Sequence, residues 1–452
     1  MENASTKATA TIGRTGPRVF LFLQGPSSPI FRKIADRLEA LGHRCLRINL
    51  NVGDQIMWRR KGAHNFRGTA VEWPGYLQAF IARHGVTDML LLGEERPYHR
   101  AATAAAKRAG VNVAIVEMGY LRPDWLTLER DGMSSNSHFP DDPRQILAAA
   151  AGLPEPDWRK RYSQTFLADA SYDLLYNLPN VFFWFLFPNY RRHAIFHPLA
   201  EYAGWIRRLL GEKRRSTEAE ETVARLLRSD APYFVYPLQL ETDFQLRAHS
   251  PFHSQKDAIA EVLASFAANA PQDARIVFKV HPLDNDLIAW RKFIDAEALE
   301  LGLKGRVFYL DGGNLDTLGE GCAGMVTVNS TAGLHALKQG RPVKVLGTAL
   351  FDIDGLTDQQ PLAAFWNAPR APDADLGIAM FRLLAASIQV RGNLYSRAGT
   401  DAGADAIASR LNDNSLNQPG AFVDPPPRSK PEKRAIEPSS RGDVHRSAGL
   451  LA

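Results

Sequence analysis

Short apolar runs recur along the chain, and each ends in glycine or in a polar cluster. In the first third they cover 19–23, 44–50, 88–92 and 111–116. Their β-branched and aromatic content, without strict alternation, is how strands buried on both faces of a sheet read. Between them, apolar residues fall at helical spacing. Ile30, Ile34 and Leu38 mark one face of a helix over 29–41, and further helices follow over 76–83 and 98–108. Gly42 and Gly110 stand where helix C-termini are capped. This alternation predicts a parallel, doubly wound sheet. A long polar loop over 121–137 closes it.

The pattern breaks over 154–215. Val181-Phe-Phe-Trp-Phe-Leu-Phe187 is followed by Arg191, Arg192, Arg207, Arg208 and Lys213-Arg-Arg215. Two readings stand: helices packed on one another, or a face that dips into a lipid interface. Alternation then resumes, with strands expected over 233–238, 276–280, 307–310, 325–328 and 343–346, and helices over 334–339 and 376–390. The expected fold class is α/β, with two Rossmann-like domains facing across a cleft in a GT-B-like arrangement and a helical insertion between them. The boundaries read from the pattern are a disordered N-terminus (1–17), a first Rossmann-like domain (18–153), the aromatic and basic insertion (154–230), a second Rossmann-like domain (231–391), a terminal helix (392–411) and a disordered Pro- and Arg-rich tail (412–452).

Composition narrows this reading only modestly. The 452 residues are 45% hydrophobic and 23% charged, as in globular chains, with a formal charge of +5. That balance suits an acidic ligand or an anionic membrane surface. Two cysteines, Cys45 and Cys322, read as buried thiols of a reducing compartment. No apolar run reaches the roughly 20 residues of a membrane helix, and the N-terminus lacks the apolar core of a secretory signal. Gln24-Gly25-Pro26 after the first strand lacks a dinucleotide fingerprint, which disfavours NAD and FAD. The histidines show no metal-ligand spacing.

Candidate chemistry sits beyond strand ends, where ligands bind in open α/β sheets. Gln239, Glu241 and Asp243 follow the 233–238 strand. Lys279, His281, Pro282 and Asp284 stand at or after the 276–280 strand, with Lys279 and His281 on one side by alternation. A carboxylate such as Asp243 is a candidate nucleophile or base. Asn329, Ser330 and Thr331 precede a helix. They cap it, or with it they hold an anion. Glu117 ends a first-domain strand, and Glu129 and Asp124 compete for its role. Asp284-Asn-Asp286 has the letters of a metal motif but reads as a cap at a helix start.

These residues resemble the capsule polysaccharide biosynthesis and export family, of the KpsS or LipB type. One half of the likeness is Leu23-Gln-Gly-Pro26, Asn51 to Asp54, Glu117-Met-Gly-Tyr-Leu-Arg-Pro-Asp124 and Leu128-Glu129. The other is Pro237-Leu-Gln239, Asp243-Phe-Gln245, His249-Ser250, Lys279 to Asp284, Asn329-Ser-Thr331 and Gly355-Leu-Thr357. The resemblance covers 18–391. It implies a bacterial Kdo transferase on the cytoplasmic face of the inner membrane, taking Kdo from CMP-β-Kdo to a lyso-phosphatidylglycerol or Kdo-lipid acceptor. It further implies a retaining mechanism through an aspartate adduct. Carried over, Asp243 is the nucleophile and Glu117, or Glu129, the acid/base. Gln239, Lys279, His281, Pro282, Asn329, Ser330 and Thr331 hold the donor, and Gln24, Gly25, Asp54 and Arg122 lie on the acceptor side. No metal or other cofactor is expected. Expected partners are the membrane surface and other capsule assembly proteins, and no nucleic acid. Two other readings are a GT-B transferase or epimerase with a UDP donor, and a non-catalytic export component.

Overall fold

The computed structural model describes residues 16–163 and 165–434. Most of the expected N-terminal segment, and residues 435–452 of the expected tail, lie outside the described residues. Within them, twelve strands form two sheets. The first domain supplies β1 (Val19–Phe22), β2 (Arg44–Asn49), β3 (Ala63–Asn65), β4 (Asp88–Leu92), β5 (Asn112–Met118) and β6 (Trp125–Arg130). The second supplies β7 (Tyr233–Pro237), β8 (Arg275–Lys279), β9 (Val307–Leu310), β10 (Gly324–Thr327) and β11 (Val343–Val345). Finally, β12 (Gln389–Arg391) returns to the first sheet.

The first sheet contains the order β3-β2-β1-β4-β5, all parallel, and the second repeats it as β9-β8-β7-β10-β11. This is the doubly wound order, with its switch point between the first and fourth strands. Alternation within each strand loads both faces. Phe20, Phe22, Leu90, Leu92, Ala114 and Val116 face one side, while Leu21, Met89, Leu91, Val113 and Ile115 face the other. All are buried, and each large apolar side chain so buried contributes roughly 1.5–3 kcal/mol. The second sheet divides the same way, with Phe234, Tyr236, Ile276 and Phe278 on one face and Tyr233, Val235 and Val277 on the other.

Besides the short edge strand β3, which no apolar run announces, the fold departs from the sequence pattern in three places. The expected loop over 121–137 contains β6, antiparallel to β5. Its Thr127 and Glu129 are as fully buried as Leu126 and Leu128, so polar letters concealed a core strand. The expected helix to 390 ends at Ser387, and β12 pairs with β6 at Gln389↔Thr127. Gln389 donates to Thr127 Oγ1 (2.9 Å) and accepts from Tyr120 N (2.9 Å). The second domain therefore ends before 391, and the helix Arg397–Asn412 packs on the first domain, where Lys33 pairs with Asp401 (2.9 Å). Three residues are too few for a legible strand period.

The third departure concerns the tail. Residues 413–434 are not disordered but lace the two domains together. Arg428 donates to Phe139 O and Pro140 O of the first domain and to Leu350 O of the second. Lys430 pairs with Glu95 at 2.7 Å. Arg434 pairs with Glu261, and Phe422 stacks on His138. Its arginines and lysines pair with carbonyls and carboxylates of the two domains, a role that composition does not distinguish from disorder.

The insertion consists of the helices Phe166–Phe182 and Pro198–Leu227, joined through a single turn at Trp184–Leu186. Two glycines set its position. A Cβ on Gly53 would lie 2.6 Å from the Tyr176 carbonyl, and one on Gly204 would run into the Asn285 carbonyl. The first helix thus lies on the short helix Val52–Trp58 that follows β2, and the second on the loop after β8.

Candidate active site

In the first domain, Glu117 sits near the C-terminal end of β5, half-buried, with Oε1 accepting from Met118 N (3.0 Å). Burial pushes its pKa up. Arg96 opposes the shift, the charge of Asp243 adds to it, and Arg122 opposes it. Arg96 follows β4 and donates to Gln24 Oε1 at 3.4 Å. Gln24 Nε2 donates in turn to the hydroxyls of Tyr176 (2.8 Å) and Tyr190 (3.1 Å) of the insertion. Gly25 leaves room for the Phe31 ring, 2.7 Å from where its Cβ would be.

In the second domain, Asp243 caps the short helix Phe244–Ala248, accepting from Gln245 N (2.8 Å) with Oδ1. Burial raises its pKa, and Arg122 opposes the rise. His281 Nδ1 accepts from Leu283 N at 3.0 Å. An acceptor at Nδ1 leaves Nε2 as the protonated nitrogen of the neutral ring, hence a donor. Burial, then Arg122, Lys279 and Arg208, hold this imidazole down at about 4, so it is neutral near pH 7. Lys279 is buried at the end of β8 and its pKa is lowered by burial, against the pull of Asp311. Arg208 on the second insertion helix reaches Asp311 at 2.7 Å, one turn beyond Gly204.

Arg122 acts electrostatically on Asp243, Glu117 and His281, so these groups of the two domains lie near one another. Arg122 senses both carboxylates, one from each domain. Across the domain boundary, Ser134 bonds to Gln245 and Ser135 to His249 (2.7 Å).

Other expected residues take structural positions. Gln239 and Asn329 are buried and bond to each other, Nε2 to Oδ1 at 2.8 Å and Asn329 N to Oε1 at 3.3 Å. Asn329 also donates to Gln245 O (2.8 Å), so the pair ties β7 and β10 to the Asp243 turn. Ser330 accepts from Ala332 N (3.2 Å), while Thr331 makes no capping bond, and both are half-buried; Pro282 is exposed. Asp54 is fully buried, paired with Arg47 (2.9 Å) and bonded by Leu50 N and Tyr176. Asp284 accepts from Trp290 Nε1 (3.1 Å) and Asp286 N (2.8 Å), holding a turn well before the helix that begins at Trp290.

The two glutamates separate. Glu129 is fully buried in β6, bonded by Ser137, and burial holds its pKa up at about 8, with Glu94 adding to the rise. It lies behind the crevice, and Glu117 lies at its mouth. Glu94, Glu95 and His249 bring potential ligand atoms within 4.8 Å of one another. Glu95 is already neutralised by Lys430, and Glu94 accepts from Met133 N (2.8 Å) and Asn136 (3.1 Å).

On the first-domain side the crevice widens into a cavity of about 780 Å³. Arg96 and Glu117 line it with Trp184, Phe187 and Phe196 of the insertion and Tyr395 from after β12. Sequence reasoning missed Arg96, Tyr176, Tyr190, Arg208 and Tyr395. Arg96 alone carried a signal: it follows the apolar 88–92 run, beyond a strand end. The others reach the site from distant segments.

Two doubly wound sheets with strand-end crevices in contact across a cleft make this a GT-B-like protein. The chain belongs to the capsule polysaccharide biosynthesis protein family, whose model it matches over residues 87–395. It is 32% identical over 377 residues to the capsule polysaccharide export protein KpsS of Escherichia coli, covering 83% of this chain and 96% of that one. It is 34% identical over 390 residues to the capsule polysaccharide modification protein LipB of Neisseria meningitidis serogroup A, covering 83% and 91%. Among solved structures, the KpsC β-Kdo 2,7 transferase of Thermosulfurimonas dismutans aligns over 87% of this chain and 99% of that chain, at 14% identity and a TM-score of 0.42.

Proposed function

We propose that the protein is a glycosyltransferase that moves Kdo from CMP-β-Kdo to a lysophosphatidylglycerol-type lipid, starting the β-Kdo linker of a capsule glycolipid. The observation that carries this reading is that the charges of Asp243 and Glu117, one from each domain, act on each other and both on Arg122. In the first step an Asp243 oxygen attacks the anomeric carbon, and the bond from that carbon to the CMP phosphate breaks. His281 donates from Nε2 to the departing phosphate, with the positive charges of Arg122 and Arg208 nearby. In the second step the acceptor hydroxyl attacks the same carbon, the aspartate leaves, and the hydroxyl proton passes to Glu117. Two inversions give retention. Burial raises the proton affinity of Glu117, as a base near neutral pH requires. Ser330 and Thr331 complete the donor side.

No helix among the described residues is long and apolar enough to cross a membrane. Phe182, Phe183, Trp184 and Phe185 are 49–63% exposed on the insertion, beside the cavity. We infer that this face sits in the inner-membrane interface and delivers the lipid acceptor.

The test is incubation with CMP-Kdo and lysophosphatidylglycerol, read by mass spectrometry. Kdo-lipid and CMP are the expected products. Thermal stabilisation by UDP rather than CMP would favour a UDP-sugar enzyme. A folded protein that binds the lipid and transfers nothing would favour a carrier role.

A further inference from the structure

The cavity beside Glu117 is chemically two-sided. The first domain contributes Arg96 and Glu117; the insertion contributes apolar Val181, Trp184, Phe187 and Phe196 together with polar Asn177, Asn180 and His193. Trp184 both lines the cavity and is 63% exposed, so the apolar wall continues onto the exposed rim. Two basic side chains with fixed charge line the space. Arg192 is paired with Glu201 at 3.3 Å. Arg96 has no carboxylate within 4 Å among the described residues, and its 3.4 Å bond to Gln24 is long. Gln24 is held from behind by Tyr176 and Tyr190, which fixes the direction from which it accepts. The charges of Glu117 and Asp54 act on this guanidinium only from beyond that range, so an arriving anion can pair with it directly.

We propose that Arg96 is the headgroup receptor of this cavity, binding the phosphate of a single-chain phospholipid whose acyl chain runs along Trp184 and Phe187 to the exposed rim. This rests on the acceptor reading above but goes further, since it assigns the residue that distinguishes a phospholipid from a neutral lipid. Asp173 and Glu117 are the acidic groups on the cavity wall. Asp173 is bonded by Asn177 (2.9 Å) and Tyr202 (2.9 Å), which offset its charge. Glu117, ionised when it serves as the base, has its charge opposed by that of Arg96.

Equilibrium binding without any sugar donor tests this, so its outcome is independent of whether Kdo is the sugar transferred. The probes are lysophosphatidylglycerol, a monoacylglycerol of equal chain length, and glycerol 3-phosphate, with both lipids below micelle-forming concentration. The wild-type protein is expected to bind lysophosphatidylglycerol at least about tenfold more tightly than either other probe. Arg96→Gln is expected to bring the phospholipid down to the monoacylglycerol level, and Arg96→Lys to retain part of the preference. Equal binding of the two lipids by the wild type overturns the proposal, whatever the variants do. So does an Arg96→Gln protein, with unchanged melting temperature, that keeps the preference. Glycerol 3-phosphate binding as tightly as the lipid would make the site one for a free phosphate ester and overturn the lipid assignment.

Discussion

The two sheets have the same strand order, yet their switch points are finished differently. In the second, Gln239 after β7 and Asn329 after β10 are buried and bonded to each other at 2.8 Å. In the first, the matching strand ends carry Gln24 and Arg96, which meet only at 3.4 Å and open on a cavity of about 780 Å³. The second switch point is closed by an amide pair supplied by its own loops. The first is completed from outside, by Tyr176 and Tyr190 of the insertion. A shared topology thus fixes where a crevice lies. The residue after the fourth strand, amide or guanidinium, and the segment laid across it decide whether the switch point is closed or opens on a cavity.

The strongest way to break this contrast is to remove the group that meets the sugar from the rigid side. Asp243→Ala is expected to lower transfer by about a thousandfold or more while thermal stabilisation by CMP persists. Loss of CMP stabilisation as well would move Asp243 from chemistry to donor binding. On the open side, Glu117→Gln is expected to cost about a hundredfold in transfer, whereas Glu129→Gln keeps most of it.

Glu129 has a separate signature in stability. Its pKa in the folded protein, about 8, lies above the ordinary 4.5. Between these values the folded state holds a proton that the unfolded chain releases, so stability falls as pH rises through that window, by up to about 1.4 kcal/mol per pH unit. The wild-type melting temperature is therefore expected to drop from pH 5 to 8 relative to Glu129→Gln. Parallel curves would mean that Glu129 is ionised in the folded state.

Gln239→Ala and Gln24→Ala test the amide pair directly. The first leaves buried Asn329 short of a partner and is expected to destabilise by about 2 kcal/mol. The second removes bonds to tyrosines facing a cavity that water can enter, and the expected loss is below about 1 kcal/mol. Chemical denaturation of both variants compares them, and equal losses would erase the distinction between the two switch points. The smallest effect on chemistry is expected from replacing Phe183 and Trp184 with Ser. Vesicle binding should fall while transfer to a soluble acceptor is retained, and equal loss of both would assign the aromatics to packing.

The parts legible in the sequence were those with a local period. The strands β1, β2, β4, β5 and β7–β11 announce themselves as apolar runs, whereas β3, three largely exposed residues, does not, and the strand-end rule pointed to Asp243, His281 and Glu117. What stayed hidden depended on distant pairing. β6 was masked by buried Thr127 and Glu129, and β12 is three residues long. The 413–434 strap reads as disorder because its arginines and lysine pair with groups far away in the chain. Asp54 looked like an acceptor-side ligand, but its partner Arg47 satisfies it within the fold.

The most direct test of the account is to trap the adduct. Glu117→Gln protein would be incubated with CMP-Kdo without acceptor, digested, and mapped by mass spectrometry. The account predicts one Kdo residue bonded to the peptide carrying Asp243, with CMP released. Kdo bonded to a different residue, or full CMP release with no Kdo on the protein, would contradict it.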